Sequence, residues 1–143
     1  MNAIYKKAVE TRQLYQFEHK FFADKSYLRK PRSVQFLRAI TSKMWAKCGR
    51  KNTLPPSINI VDGAKFSYCF GRSKIVLATC RNTRDHFPHN TVDSLLHELT
   101  HALGYGNPHG KNFSRKYLEL LVEFGRCDEG ELRVAMSLFQ IRH

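Results

Sequence analysis

The chain has 143 residues, 42% apolar and 12% aromatic, which suits one folded domain over residues 1–143 and excludes a disordered tail. No apolar run nears the ~18 residues of a membrane span, and the opening Met1-Asn2-Ala3-Ile4-Tyr5-Lys6-Lys7 has no apolar segment behind its charges, so the expectation is a cytoplasmic protein without a secretory leader. The net charge of +12 is concentrated in residues 1–50, where 12 lysines and arginines face only Glu10, Glu18 and Asp24, a net of +9; that third is either a nucleic-acid or other polyanion surface or a solvated face.

Residues 3–23 read as a helix, with Tyr5, Ala8, Val9, Leu14, Tyr15, Phe17, Phe21 and Phe22 near helical spacing as a core-facing stripe. Lys30-Pro31-Arg32 interrupts the pattern. A second helix opens at Arg32 or Ser33, runs through Val34, Phe36, Leu37, Ile40, Met44 and Trp45, and stops at Gly49 as a C′ glycine. Beyond Pro55-Pro56 the period shortens. Ile58-Asn59-Ile60-Val61, Phe66-Ser67-Tyr68-Cys69-Phe70 and Lys74-Ile75-Val76-Leu77-Ala78-Thr79 are three short strands with turn signals at Asp62-Gly63 and Gly71. They make an antiparallel meander, or a mixed sheet if one order is swapped.

Residues 81–90 read as a polar loop. Asn90 or Thr91 caps the next helix, with Asp93 or Ser94 in its first turn. Val92, Leu95, Leu96, Leu99, Ala102 and Leu103 form its buried side, Gly104 ends it in a left-handed conformation, and Gly106-Asn107-Pro108 bends the chain back. Phe113, Tyr117, Leu120, Leu121 and Phe124 mark a further helix closed by Gly125. A last helix, opened by Asp128, Glu129 and Glu131, carries Leu132, Val134, Ala135, Leu138, Phe139 and Ile141. The class is α+β: two N-terminal helices, a small three-stranded sheet beside a central helix, and two C-terminal helices.

That central helix carries the chemistry. His97-Glu98-Leu99-Thr100-His101 puts two imidazoles at i and i+4, about 40° apart in projection, on one helix face and within reach of one metal ion. His109 follows after seven residues, across the glycine-rich reversal, and is the third ligand. Three histidines and one open position describe a hydrolytic Zn2+ site, in which bound water has its pKa lowered towards ~7. Glu98 is then the general base on that water. Glu119 and Glu123, on the following helix, and His86 and His89, in the preceding loop, are the other candidate ligands. Tyr68 or Tyr105 can donate to an oxyanion, and Asp93 can orient an imidazole or simply cap the helix. Cys48, Cys69, Cys80 and Cys127 form no Cys-x-x-Cys pair and read as small apolar residues.

The run His97-Glu98-Leu99-Thr100-His101 followed by His109-Gly110-Lys111-Asn112-Phe113 resembles the SprT-like (Spartan-type) zincin metallopeptidases, which pair an H-E-x-x-H helix with a later His-Gly-x-x-Phe element. It looks closer still to a group of small metallohydrolase-like proteins of actinobacteria and their phages, with an N-terminal Arg-x-x-x-Tyr-like helix, here Arg12-Gln13-Leu14-Tyr15. The resemblance implies a minimal zincin fold, His97, His101 and His109 as ligands, Glu98 as base, and a protein or peptide substrate, in SprT relatives one held on DNA. The cysteine-rich ribbon of some SprT-like proteins is absent. Metzincins differ in placing the third histidine where this chain has Asn107. A ribosomal-RNA maturation family shares three histidines around Leu103-Gly104-Tyr105 but usually lacks the glutamate. The functional expectation is a zinc metallopeptidase; a metal-dependent nuclease and a non-catalytic, zinc-stabilised polyanion-binding module are the alternatives.

Overall fold

A computed structural model describes residues 2–64, 66–79, 88–105 and 109–143. Helix α1, Ala3–Phe21, starts at Asn2, whose side chain accepts the Tyr5 amide at 2.8 Å. This satisfies one of the amides that a helix start leaves orphaned. Of its aromatic stripe only Leu14 and Phe17 are buried, joined by Phe22 just beyond the helix; Tyr15 stays about half exposed. A short helix α2, Ser26–Arg29, follows where the sequence showed no helical period, because four residues are too few to display one. Its Leu28 is buried.

Helix α3, Val34–Cys48, is capped by Ser33, whose hydroxyl accepts the Phe36 amide at 3.2 Å. Leu37, Thr41, Met44 and Trp45 form its inner face. Gly49 ends it as expected, with φ −72°, outside the left-handed region that many helix-ending glycines take. The glycine is needed for space instead: a Cβ would fall 2.4 Å from the Trp45 carbonyl oxygen.

The sheet comprises β1 (Ser57–Val61), β2 (Tyr68–Phe70) and β3 (Lys74–Ala78) in the order β1-β3-β2. β1 runs parallel to β3, with Ile58 opposite Ile75, and β2 runs antiparallel to β3, with Cys69 opposite Ile75. The sheet is therefore mixed. The reason lies in β3, where Ile75, Val76, Leu77 and Ala78 are all buried, as a strand covered on both faces requires. A meander would have placed β2 in the middle, and β2 leaves Tyr68 and Phe70 exposed.

Helix α4, Val92–Ala102, lies against β2, β3, α2 and α3 and buries nine of its eleven residues. It ends through Gly104, which adopts φ +98°, the left-handed turn anticipated from the sequence. Helix α5, Lys111–Phe124, packs on α4, with Phe113 and Tyr117 against the His97 ring. Past Gly125 the left-handed residue is Arg126, with φ 58°. Helix α6, Glu129–Leu138, is capped by Asp128, which accepts the Glu131 amide at 2.9 Å, and Gln140 at φ 60° turns the tail back before Ile141. Among the described residues the protein is α+β, with six helices and one small mixed sheet, and no helix is long and apolar enough to cross a membrane.

Candidate metal centre

α4 and the start of α5 bring three imidazoles together. His97 and His101 project from one face of α4, and His109 precedes Gly110, the N-terminal cap of α5. Nε2 of His109 lies 3.1 Å from Nε2 of His97 and 3.2 Å from Nε2 of His101. Three nitrogens bound to one tetrahedral zinc-sized ion at ~2.0–2.1 Å would stand roughly 3.3 Å apart. The cluster therefore has the dimensions of a ligand set, and it could hold a metal ion. His97 and His109 are buried, and His101 is partly so.

The other ring nitrogens are all engaged. His101 Nδ1 lies 3.2 Å from the Tyr105 carbonyl oxygen. A carbonyl only accepts, so Nδ1 carries the hydrogen and Nε2 keeps its lone pair. His97 Nδ1 is 3.0 Å from Glu18 Oε2, and His109 Nδ1 is 3.1 Å from the Thr11 hydroxyl. Glu18 also accepts from the Tyr117 hydroxyl at 2.6 Å through the same oxygen. This is the arrangement that fixes ring orientation and tautomer in histidine metal sites. With all three imidazoles neutral, the converging Nε2 atoms make a donor set for a cation.

The charges agree with that reading. Burial alone would lower His97, but the Glu18 carboxylate beside it, through its charge and its hydrogen bond, pushes His97 up to about 9. Burial alone would raise Glu18, but His97 and the hydrogen bonds from His97 and Tyr117 carry it below the usual carboxylate range. Burial and the neighbouring His97 bring His101 down to about 4. His109 falls to about 3 from burial, His97 and His101. Without a metal, the triad thus holds its proton on His97.

Glu98 is 8% exposed, and its carboxylate makes no hydrogen bond among the described residues. Burial raises its pKa against the opposing pull of His97. Tyr15 stands at the rim, its ring centroid 6.1 Å from that of His97 and 5.7 Å from that of His109. Burial, then Glu18 and Glu98, push its phenol up to about 12, so it keeps its proton. Phe113 closes the floor, with centroids 4.7–5.2 Å from all three imidazoles.

None of the remaining described sequence candidates joins the triad, although the charge of His89 acts on Glu98. Glu119 pairs with Lys116 at 3.1 Å, and Glu123 pairs with Lys47. His89 Nδ1 is 3.0 Å from the Ser67 hydroxyl. Asp93, buried in the first turn of α4, takes Arg29 Nε at 3.3 Å and the Thr91 hydroxyl at 2.5 Å, not an imidazole. Tyr68 is part of the exposed face of β2, while Tyr105 enters through its carbonyl. His86, Cys80, the rest of 81–87 and the bend at Gly106-Asn107-Pro108 fall outside the described residues.

Sequence reasoning missed Thr11, Tyr15, Glu18 and Tyr117 as site residues. A signal was present: Thr11, Tyr15 and Glu18 recur at i, i+4 and i+7 on one face of α1. Set among apolar neighbours, that polar face could have marked α1 as covering a polar site. No family model, curated protein or solved structure matches the chain.

Proposed function

We propose that this protein is a zinc-dependent hydrolase, most simply a metallopeptidase of minimal zincin type, similar to the SprT-like enzymes. The carrying observation is the convergence of His97, His101 and His109 through Nε2 beside a Glu98 carboxylate with no hydrogen-bond partner among the described residues. Imidazole suits zinc, and three ligands leave an open position.

Zinc held by His97, His101 and His109 would supply Lewis acidity and lower the pKa of water at its open position. The residues of the chain do the rest. Glu98 takes the proton of the attacking water and delivers it to the leaving nitrogen, a role that needs a carboxylate free of other partners. Tyr15, protonated and half exposed, donates to the developing oxyanion. Glu18 and the Tyr105 carbonyl hold His97 and His101 in the tautomer that presents Nε2, and the Thr11 hydroxyl orients the His109 ring. Phe113 and Tyr117 wall the histidines on the core side.

The test compares zinc-loaded wild type with Glu98→Gln on casein and fluorogenic peptides. The expected result is peptide cleavage by wild type, a loss of roughly 10²–10⁴-fold in the variant, and equal zinc content in both. Equal activity in the two proteins would remove Glu98 from the chemistry. Cleavage of nucleic acid with peptides left intact would replace the peptidase reading.

A further inference from the structure

A cleft of about 350 Å³ opens between α1, the start of α5 and the C-terminal tail, and His109 forms part of its wall. That volume falls in the range of ligand-binding clefts. We infer that this cleft receives an acidic side chain of the peptide substrate, a few residues from the scissile bond; the inference rests on the hydrolase reading above.

Charge is the first argument. Lys6, Lys111 and Arg142 line the cleft against a single acid, Glu10. Arg142 Nη2 bonds Glu10 Oε1 at 2.7 Å, so that pair is neutralised. Lys6 and Lys111 are exposed and form no ion pair or side-chain hydrogen bond among the described residues. Two cations without counterions therefore face one cleft.

Their placement strengthens the case. Lys111 is the first residue of α5, at the positive end of a 14-residue helix whose cap, Gly110, offers no side-chain acceptor and whose first turn has no acid. A cation there is electrostatically unfavourable, and an anion in the cleft would relieve it. Lys6 sits near the start of α1, whose first turn also lacks an acid. The lining is not purely polar: Val9 and the largely buried Ile141 offer apolar surface to the methylenes of a glutamate. A nucleic-acid backbone, which needs an open charged track, has less use for that surface.

Position ties the cleft to the metal centre. His109 contributes Nε2 to the triad and also lines the cleft. Lys6, Val9, Glu10 and Gln13 lie on the flank of α1 turned away from Thr11, Tyr15 and Glu18, so an extended peptide, advancing ~3.3 Å per residue, passes the ~10 Å width of that helix in roughly three or four residues to reach the cleft. An acid at that remove from the scissile bond is the group the cleft fits.

The experiment uses matched fluorogenic peptides that differ by Glu or Gln at single positions on either side of the cleaved bond. Zinc-loaded wild type is compared with Lys6→Gln, Lys111→Gln and the double variant. One Glu position should raise kcat/KM roughly tenfold over Gln, mainly through KM, with the ratio falling towards one in the double variant and partway in each single variant. A wild-type ratio near one, or a ratio the variants leave intact, overturns the inference. A second arm separates this from failure of the hydrolase reading: fluorescence anisotropy of the same peptides on zinc-loaded Glu98→Gln. If wild type cuts no peptide, the hydrolase reading fails; tighter binding of the Glu peptide, lost when Lys6→Gln and Lys111→Gln are added, still supports the cleft. Equal binding of the Glu and Gln peptides overturns it. A mixed-sequence oligonucleotide that displaces the Glu peptide at lower concentration than the Gln peptide does would also overturn it, making the cleft a phosphate-backbone site.

Discussion

Glu18 Oε2 and His97 Nδ1 meet at 3.0 Å across 79 residues of sequence. The same carboxylate oxygen receives the Tyr117 hydroxyl at 2.6 Å, so one partly buried acid is held from two sides and faces the imidazole it supports. His97 is thereby fixed as an Nδ1–H tautomer that presents Nε2 to the other two histidines.

Replacing Glu18 by Gln keeps the shape and removes the charge. Metal affinity should fall roughly 10–100-fold, the usual cost of losing a carboxylate behind a ligating histidine. Competition against a chromophoric chelator measures it. An affinity equal to wild type would show that Glu18 serves packing alone.

Metal uptake should depend on pH through His97. In the metal-free protein His97 is raised to about 9, so at pH 7 it is protonated and a metal must displace one proton. His101 and His109, lowered to about 4 and 3, add none above pH 5. Calorimetry in buffers of different ionisation enthalpy should give about one proton released per metal at pH 7. The sign for stability is fixed by the same shift. A histidine raised above its usual 6.5 contributes fully below that value and loses its contribution as pH climbs through about 9. The Tm of the metal-free protein should fall over that window, and in Glu18→Gln the fall should shrink.

Tyr15→Phe tests the oxyanion role. The ring contact with His97 and His109 is kept and only the phenolic hydrogen bond is lost. The expected change is a drop in kcat of roughly 100-fold with KM and zinc content near wild type. Unaltered kcat would leave Tyr15 as a hydrophobic cover.

Gly104→Ala probes the turn after the metal helix. The residue sits at φ +98°, and a Cβ would approach Arg72 Nη2 to 3.1 Å. Strain of this kind costs more than about 1 kcal/mol. Urea unfolding of the metal-free protein reads it directly. A midpoint equal to wild type would mean that the backbone relaxes elsewhere.

The metal helix was legible because its information is local. Spacing put His97 and His101 on one face, the apolar positions gave the buried side, and Gly104 took the positive φ assigned to it. The sheet order was not, since strand adjacency depends on how β3 is covered, and the cue, four consecutive buried residues at Ile75–Ala78, is ambiguous in one dimension. Tyr15 was read as core because it fits the same stripe as Leu14 and Phe17; only the approach of α4 and α5 to α1 decides which side of that stripe meets a histidine. Glu18 and Thr11 were invisible for the same reason. Their partners are 79 and 98 residues away.

Those separations also set an order of assembly. The three ligands span only 12 residues, a short loop that closes at small entropic cost and can gather an ion while the chain is largely unfolded. The supports from α1 demand closure over 79 to 99 residues, the slow kind of contact. The histidine cluster can therefore close before the supports from α1 reach it. A protein captured before α1 docks would exchange its metal freely; one captured afterwards would hold it.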